Sequence, residues 1–133
     1  MKYMLDTDMC VCVIKQRPKA VILRLRRTSV LDVCISAITL SELEYGVAKS
    51  SRPDQNKAAL AWFLAPLQVV PYDDMAAQEY GRLRAYLEKR GTPIGSLDAL
   101  IAAHALALNC ALVTNNEGEF SRVPRLRIQN WAE

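Results

Sequence analysis

Apolar positions along this chain fall either in short runs or in helical stripes, and the two kinds alternate. Tyr3-Met4-Leu5 is a brief run that stops at Asp6, and Val33-Cys34-Ile35-Ser36 is a second. Residues 67–70, closed by Pro71, and residues 111–114 are two more, with 126–128 as a fifth candidate. Runs of this length, rich in β-branched residues, read as buried strands. Between them the spacing is helical: residues 8–14, a second helix opened by Pro18, then 38–49, 53–64, 75–90 with Gly91 as its stop, and 97–108 with Ser96 as its cap. Strands separated by helices need crossover connections, which makes the sheet largely parallel and covers both of its faces. The expected fold is therefore α/β, a mainly parallel central sheet of four to five strands flanked by helices. No internal repeat, low-complexity tract or Gly/Ser linker divides the 133 residues, so 1–133 is read as one domain.

Composition narrows the chemistry. The longest uninterrupted apolar stretch, 58–67, is ten residues long and contains Pro66, well short of the roughly 18–20 residues of a membrane span. Asp6 and Asp8 interrupt the N-terminal apolar residues before a signal-peptide core could form. A cytoplasmic protein without a membrane span is the expectation. Cys10, Cys12, Cys34 and Cys110 contain no Cys-x-x-Cys pair and mostly sit among aliphatic residues, the pattern of reduced core cysteines rather than a zinc framework. The single histidine, His104, excludes two-histidine acid/base chemistry within one chain. It also lies six residues beyond Asp98, about 600° around a helix, and so on a different face. If the protein is an enzyme, carboxylates or a metal carry the reaction.

In sheets of this kind the ligand site lies beyond the carboxyl ends of the strands. Asp6 directly follows the first strand, Glu42 lies on the helix after the second, Asp98 stands in the first turn of the helix after the 91–95 loop, and Glu119 follows the fourth strand by five residues. These four acids can converge on one rim. Gathered carboxylates repel one another, so such a cluster calls for a cation or a shared proton. Oxygen-only ligands favour Mg²⁺ or Mn²⁺, which can generate a hydroxide nucleophile and neutralise a phosphodiester transition state without histidine. Each acid also has a structural alternative. Asp98 can complement a helix dipole, Glu42 can close a capping box with Thr39, and Glu44 competes with Glu42. Periodicity alone does not choose between those two glutamates.

The segments Met4-Leu5-Asp6-Thr7-Asp8, Ser36 to Gly46 with Ser41-Glu42-Leu43-Glu44, Gly91-Thr92-Pro93-Ile94-Gly95-Ser96-Leu97-Asp98, and Leu112-Val113-Thr114-Asn115-Asn116 followed by Glu119-Phe120 resemble, in order and spacing, those of a PIN domain. More narrowly they resemble the VapC ribonuclease toxins of bacterial type II toxin-antitoxin modules. The resemblance implies a metal-dependent endoribonuclease whose acidic cluster is Asp6, Glu42, Asp98 and Glu119. Asp6 and Asp98 would be the direct Mg²⁺ ligands, Glu42 a ligand directly or through water, and Glu119 the most variable member. It selects Glu42 over Glu44, and makes Thr7 and Thr114 hydrogen-bonding supports. One departure is Asn116, which stands where many PIN domains carry another acid, and which would contact the site as a neutral oxygen. The resemblance further implies structured RNA such as a tRNA stem-loop as substrate, a VapB-like antitoxin as partner, a homodimer and a toxin-antitoxin hetero-oligomer.

Two other readings stand beside it. Asp6-Thr7-Asp8 after a strand is also how haloacid-dehalogenase-like phosphotransferases begin, with Asp6 as nucleophile, although Cys10 occupies a position where Thr is usual. A non-catalytic PIN binding module would keep the fold and use the acids only structurally. Asp73-Asp74 precedes a helix and reads as an N-cap. Tyr45, Trp62, Phe63 and Tyr80 read mostly as core, and Arg82, Arg84, Lys89 and Arg90 as a solvated helix face. The formal charge, 17 basic against 14 acidic residues or +3, conceals a local bias: Lys15, Arg17, Lys19, Arg24, Arg26 and Arg27 form a stretch without an acid. Such a stripe is either a solvated face or a phosphate-contacting surface.

Overall fold

A computed structural model describes residues 1–133. The five strands β1 (Tyr3–Leu5), β2 (Val33–Ser36), β3 (Gln68–Val70), β4 (Ala111–Val113) and β5 (Ile128–Gln129) form one sheet in the order β3-β2-β1-β4-β5. Every pairing is parallel, with Tyr3 beside both Val33 and Ala111. Helices α1 (Thr7–Ile14), α2 (Lys19–Arg26), α3 (Ala37–Lys49), α4 (Pro53–Leu64), α5 (Asp74–Lys89) and α6 (Ser96–Leu108) make the crossovers. A 3-10 turn at Val30–Asp32 and the short helix α7 (Glu117–Phe120) complete the chain, and the sequence pattern anticipated neither.

Alternation along the strands sorts the core into two layers. Met4, Cys34 and Leu112 face α5 and α6, packing with Leu83, Leu87, Ile101 and Phe120. Leu5, Val33, Ile35 and Val113 face the other way, with Met9, Val21, Leu43, Leu60 and Phe63. The alternation runs to the end of β2 and continues one residue past β1 and β4. Asp6, Ser36 and Thr114 have the parity of Met4, Cys34 and Leu112, so the strand ends place three buried polar residues on the α6 side. Alanines at 99, 102, 103 and 105 are buried along α6, a surface without bulk that brings this helix close to the sheet.

Several expectations need correction. The first helix starts at Thr7 rather than Asp8, because Asp6 is its N-cap and accepts from Met9 N at 2.8 Å. Ser96 does not cap α6. It is the first helical residue, and Gly95 holds the cap position without a side-chain bond. The fifth strand is shifted to Ile128–Gln129, since Leu126 instead packs into the α5/α6 layer ahead of the pairing of Ile128 with Leu112. Tyr45 and Trp62 are not core: they are 65% and 83% exposed. On α3 and α4 the inward stripes are Leu43 with Val47 and Leu60 with Phe63, leaving both aromatics on the outside. Phe63 is buried and Tyr80 packs half-buried against the core. Cys10, Cys34 and Cys110 are buried and all four thiols are free. Asp73 caps α5, accepting from Ala76 N at 3.0 Å. No helix is long and apolar enough to cross a membrane.

Candidate active site

The four acids singled out by sequence lie together beyond the carboxyl ends of β1, β2 and β4. Asp6 is 4% exposed. Its Oδ1 takes the Met9 amide, and its Oδ2 accepts the Thr114 hydroxyl at 2.5 Å. Thr114 is itself held, its Oγ1 accepting from Asn116 N at 2.9 Å. Glu42, on the second turn of α3, faces α1 and accepts the Thr7 hydroxyl at 2.5 Å. It has no capping-box role, because Ser36 already caps α3 by accepting from Ile38 N at 3.1 Å. Glu44 is turned away toward α4, where Lys57 meets it at 2.6 Å.

Asp98 and Glu119 form the other half of the cluster. Glu119 on α7 reaches back to the loop before α6, accepting Gly95 N at 2.8 Å on Oε1 and Asn116 Nδ2 at 2.7 Å on Oε2. Asn116 thus turns its amide nitrogen to Glu119, rather than an oxygen to the site. A Cβ at Gly95 would stand in ordinary van der Waals contact with the acid pair, 3.5 Å from Asp98 Oδ2 and 3.6 Å from Glu119 Oε1, which shows how closely this loop lies against both carboxylates. Phe120, fully buried next to Glu119, anchors α7 to the core and so fixes this carboxylate.

The electrostatics are those of a cluster without an ion-paired counter-charge. None of the four acids forms an ion pair with Lys or Arg. Burial pushes the Asp6 carboxyl up to about 6, with Asp8 and Glu42 adding to the rise and the Thr114 and Met9 bonds opposing it. Asp98 is pushed up to about 7, first by burial, then by its hydrogen bond with Glu119 and by the surrounding carboxylates. Burial also pushes Glu119 upward, but the Gly95 amide, Asn116, Asp98 and nearby Arg122 more than offset it and leave its pKa lowered. The two carboxyls are thus driven in opposite directions, Asp98 upward and Glu119 downward. An oxygen-only, desolvated, mutually repelling set is the chemistry that a hard divalent cation relieves. No three of these side chains converge closely enough to chelate one ion alone. The set fits an ion with one or two direct carboxylates and the remaining coordination from water, the preference of Mg²⁺.

Two hollows of opposite character flank the acids. On the Glu42 side, Thr7, Val11, Ile14, Leu43, Val47 and Leu60 line a mostly apolar groove of about 280 Å³, with Lys15 at its edge. On the Glu119 side lies an open polar cleft of about 600 Å³ between the 93–95 loop and α7. The basic stretch Lys15 to Arg27 has no acidic partner; Arg24 lies over the Trp131 ring and bonds Gln129 at 3.2 Å, and Arg27 Nε donates to the Leu23 carbonyl at 3.4 Å. On α5, Arg82 and Arg84 are instead paired with Glu79 and Glu88.

His104 does not join the acids, as its spacing from Asp98 implied, but it is not idle. Fully buried, its Nδ1 lies 2.8 Å from Ser36 Oγ and its ring meets Tyr72 edge-on. Ser36 thus caps the helix that carries Glu42 while touching the helix that carries Asp98. Sequence reading missed this link; the signal for it was the parity of Ser36, one residue past Ile35.

Known proteins share this sequence and this fold. The PIN domain family matches residues 3–126. The tRNA(fMet)-specific endonuclease VapC of Salmonella typhimurium is 43% identical over 131 residues, covering 98% of both chains. Ribonuclease VapC2 of Rickettsia felis is 43% identical over 132 residues, again with 98% of each chain covered. Among solved structures, DNA-bound VapBC from Salmonella typhimurium superimposes with a TM-score of 0.94 at 43% identity, over 98% of each chain.

Proposed function

This chain belongs to the PIN domain family and, within it, to the VapC ribonucleases, and from that premise we propose that it is a Mg²⁺-dependent endoribonuclease, the toxin of a type II toxin-antitoxin pair, cleaving structured RNA such as a tRNA. Residues 1–133 act as one PIN unit, in the cytoplasm where the RNA is. The observation that carries the reading is the uncompensated acid rim: Asp6, Glu42, Asp98 and Glu119 brought together from four parts of the chain, with Asp6 and Asp98 both raised and no basic side chain paired to either.

In this reading Asp6 and Asp98 are the residues that hold Mg²⁺ (or Mn²⁺) directly, and Glu42 and Glu119 complete the acidic shell. Bound there, the ion supplies Lewis acidity and lowers the pKa of water. The chain's own groups do the rest. Thr114 and the Met9 amide fix the Asp6 carboxylate, Thr7 fixes Glu42, and Gly95 and Asn116 fix Glu119, so that each oxygen is oriented before substrate arrives. The unpaired basic stretch from Lys15 to Arg27 attracts RNA phosphate toward a rim that would otherwise repel it. A VapB-type antitoxin is the proposed partner, in a hetero-oligomer built on a toxin homodimer; the similar solved structure from Salmonella typhimurium is of a DNA-bound VapBC. The apolar groove beside Glu42 has the chemistry to take the apolar face of such a partner. The phosphotransferase alternative has no support from the relatives, and the gathering of all four acids favours catalysis over a purely structural module.

The test is expression in bacterial cells followed by sequencing of newly formed RNA 5′ ends. New ends at a discrete site, absent with Asp98→Asn and suppressed by the antitoxin, are expected. An RNA population identical for the parent and Asp98→Asn chains would refute the reading.

A further inference from the structure

The acid rim poses a problem for a polyanionic substrate, because the strand on either side of the cut must be drawn past four carboxylates. Among the side chains that line the two flanking hollows only two are basic. Lys15 edges the apolar groove, and Arg122 stands in the polar cleft with Pro93, Gly95, Asn116, Gly118 and Glu119. That cleft, about 600 Å³, falls within the roughly 300–1,000 Å³ typical of small-ligand sites.

Arg122 is held but not used up. Its Nη1 donates to the Pro93 carbonyl at 2.9 Å, which fixes the guanidinium across the cleft, and its other N–H groups have no protein partner. It forms no ion pair with Glu119 or with any other acid. A planar fork with free donors, anchored at one nitrogen, is arranged for a phosphate oxygen pair rather than for structure alone. Gly118 supplies an independent sign. It lies within helix α7, where glycine is a poor choice, yet a Cβ there would meet no atom within 4 Å and the backbone is not left-handed. Neither packing nor backbone conformation explains the missing side chain. Gly118 lines the cleft, so the absent side chain leaves that wall open.

We propose that the cleft between the 93–95 loop and α7 is the channel for the RNA strand on one side of the scissile phosphate, with Arg122 binding a neighbouring backbone phosphate and Gly118 leaving room for the nucleotide. This rests on the ribonuclease reading above and adds to it a direction: the strand passes over the Asp98–Glu119 side of the rim, leaving the apolar groove on the Glu42 side clear.

The test measures binding of a fluorescein-labelled single-stranded oligoribonucleotide by anisotropy over a range of salt concentrations, in an Asp6→Asn background. Arg122→Gln is expected to weaken binding several-fold and to reduce the slope of log affinity against log salt by about 0.7, the loss of one single-strand phosphate contact. Arg122→Lys, which keeps the charge and gives up the fork, is expected to keep the slope. Gly118→Leu is expected to weaken binding several-fold while leaving Tm unchanged or raised, because it improves helix propensity as it fills the channel. A slope unchanged by Arg122→Gln, a slope reduced equally by Gln and Lys, or full affinity in Gly118→Leu would each overturn the proposal. Cleavage by the otherwise unaltered chain in Mg²⁺ is scored separately, so failure of the ribonuclease reading and failure of the channel are told apart.

Discussion

Replacing Asp6 with asparagine removes a charge but leaves a carbonyl for the Met9 amide, and the Thr114 hydroxyl can rotate to accept from the new amide. Asp6→Asn is therefore expected to fold and to lose catalysis. The same residue sets a pH dependence. Its carboxyl is raised from 3.8 to about 6, so the folded, metal-free chain holds a proton that the unfolded chain releases, and stability falls as pH rises through that interval. In EDTA, the Tm advantage of Asp6→Asn over the parent is expected to grow between pH 4 and 6 and then level off. Mg²⁺ is expected to raise the parent's Tm at neutral pH and to lose this effect in acid, where protons compete for the carboxylates. Thr114→Val keeps the shape and deletes the donor to Asp6. Steady-state cleavage assays are expected to register a loss of roughly 10–100-fold, the usual scale for a group that orients a metal-holding carboxylate, and less than that of Asp6→Asn.

At the scale of elements, two N-caps separate stability from function. Asp73→Ala removes the cap of α5, a helix that carries none of the four acids, and is expected to cost about 1 kcal/mol in urea unfolding with cleavage unchanged. Ser36→Ala removes the cap of α3 and also the partner of buried His104. It is expected to cost more than Asp73→Ala and to lower cleavage as well, because it loosens Glu42 and Asp98 against each other. Most of these elements were legible in the sequence. Strand β1 ends where Asp6 breaks its apolar run and β2 ends on Ser36, the polar residue that closes its own, and Pro53 and Gly91 mark their helix ends directly. The acids at the strand ends were legible for the same reason, since topology decides where a parallel sheet exposes its working edge. Neighbour effects were not. Ser96 resembles a cap because local chemistry favours serine there, whereas Gly95 takes the position so that its amide can reach Glu119. Helix α7 has only four residues, too few for any periodicity, and is held by the burial of Phe120. Trp62 is apolar by composition and exposed by phase.

Across the whole molecule, a formal charge of +3 divides into a basic stretch without acidic partners, running from the end of α1 through α2, and an acidic rim without ion pairs, with hollows of different polarity on either side of the acids. Such a surface has the chemistry for two kinds of ligand, RNA phosphate and the apolar face of a protein. The exposed Trp62 lies beside Val13, Ile14 and Ala59 in a mostly apolar hollow. Trp62→Ser is accordingly expected to change the stability of the isolated chain by less than about 0.5 kcal/mol and to leave its RNA cleavage intact, as thermal unfolding and a cleavage assay would report. The central claim is that the four acids form one metal-dependent nuclease centre. Its most direct test is incubation of the purified chain with total RNA in Mg²⁺ and in EDTA, beside Asp6→Asn and Asp98→Asn. Cleavage by the parent in Mg²⁺ alone, lost in both variants while their circular dichroism matches the parent, is the expected result. Equal cleavage in EDTA, or undiminished cleavage by both variants, would contradict it.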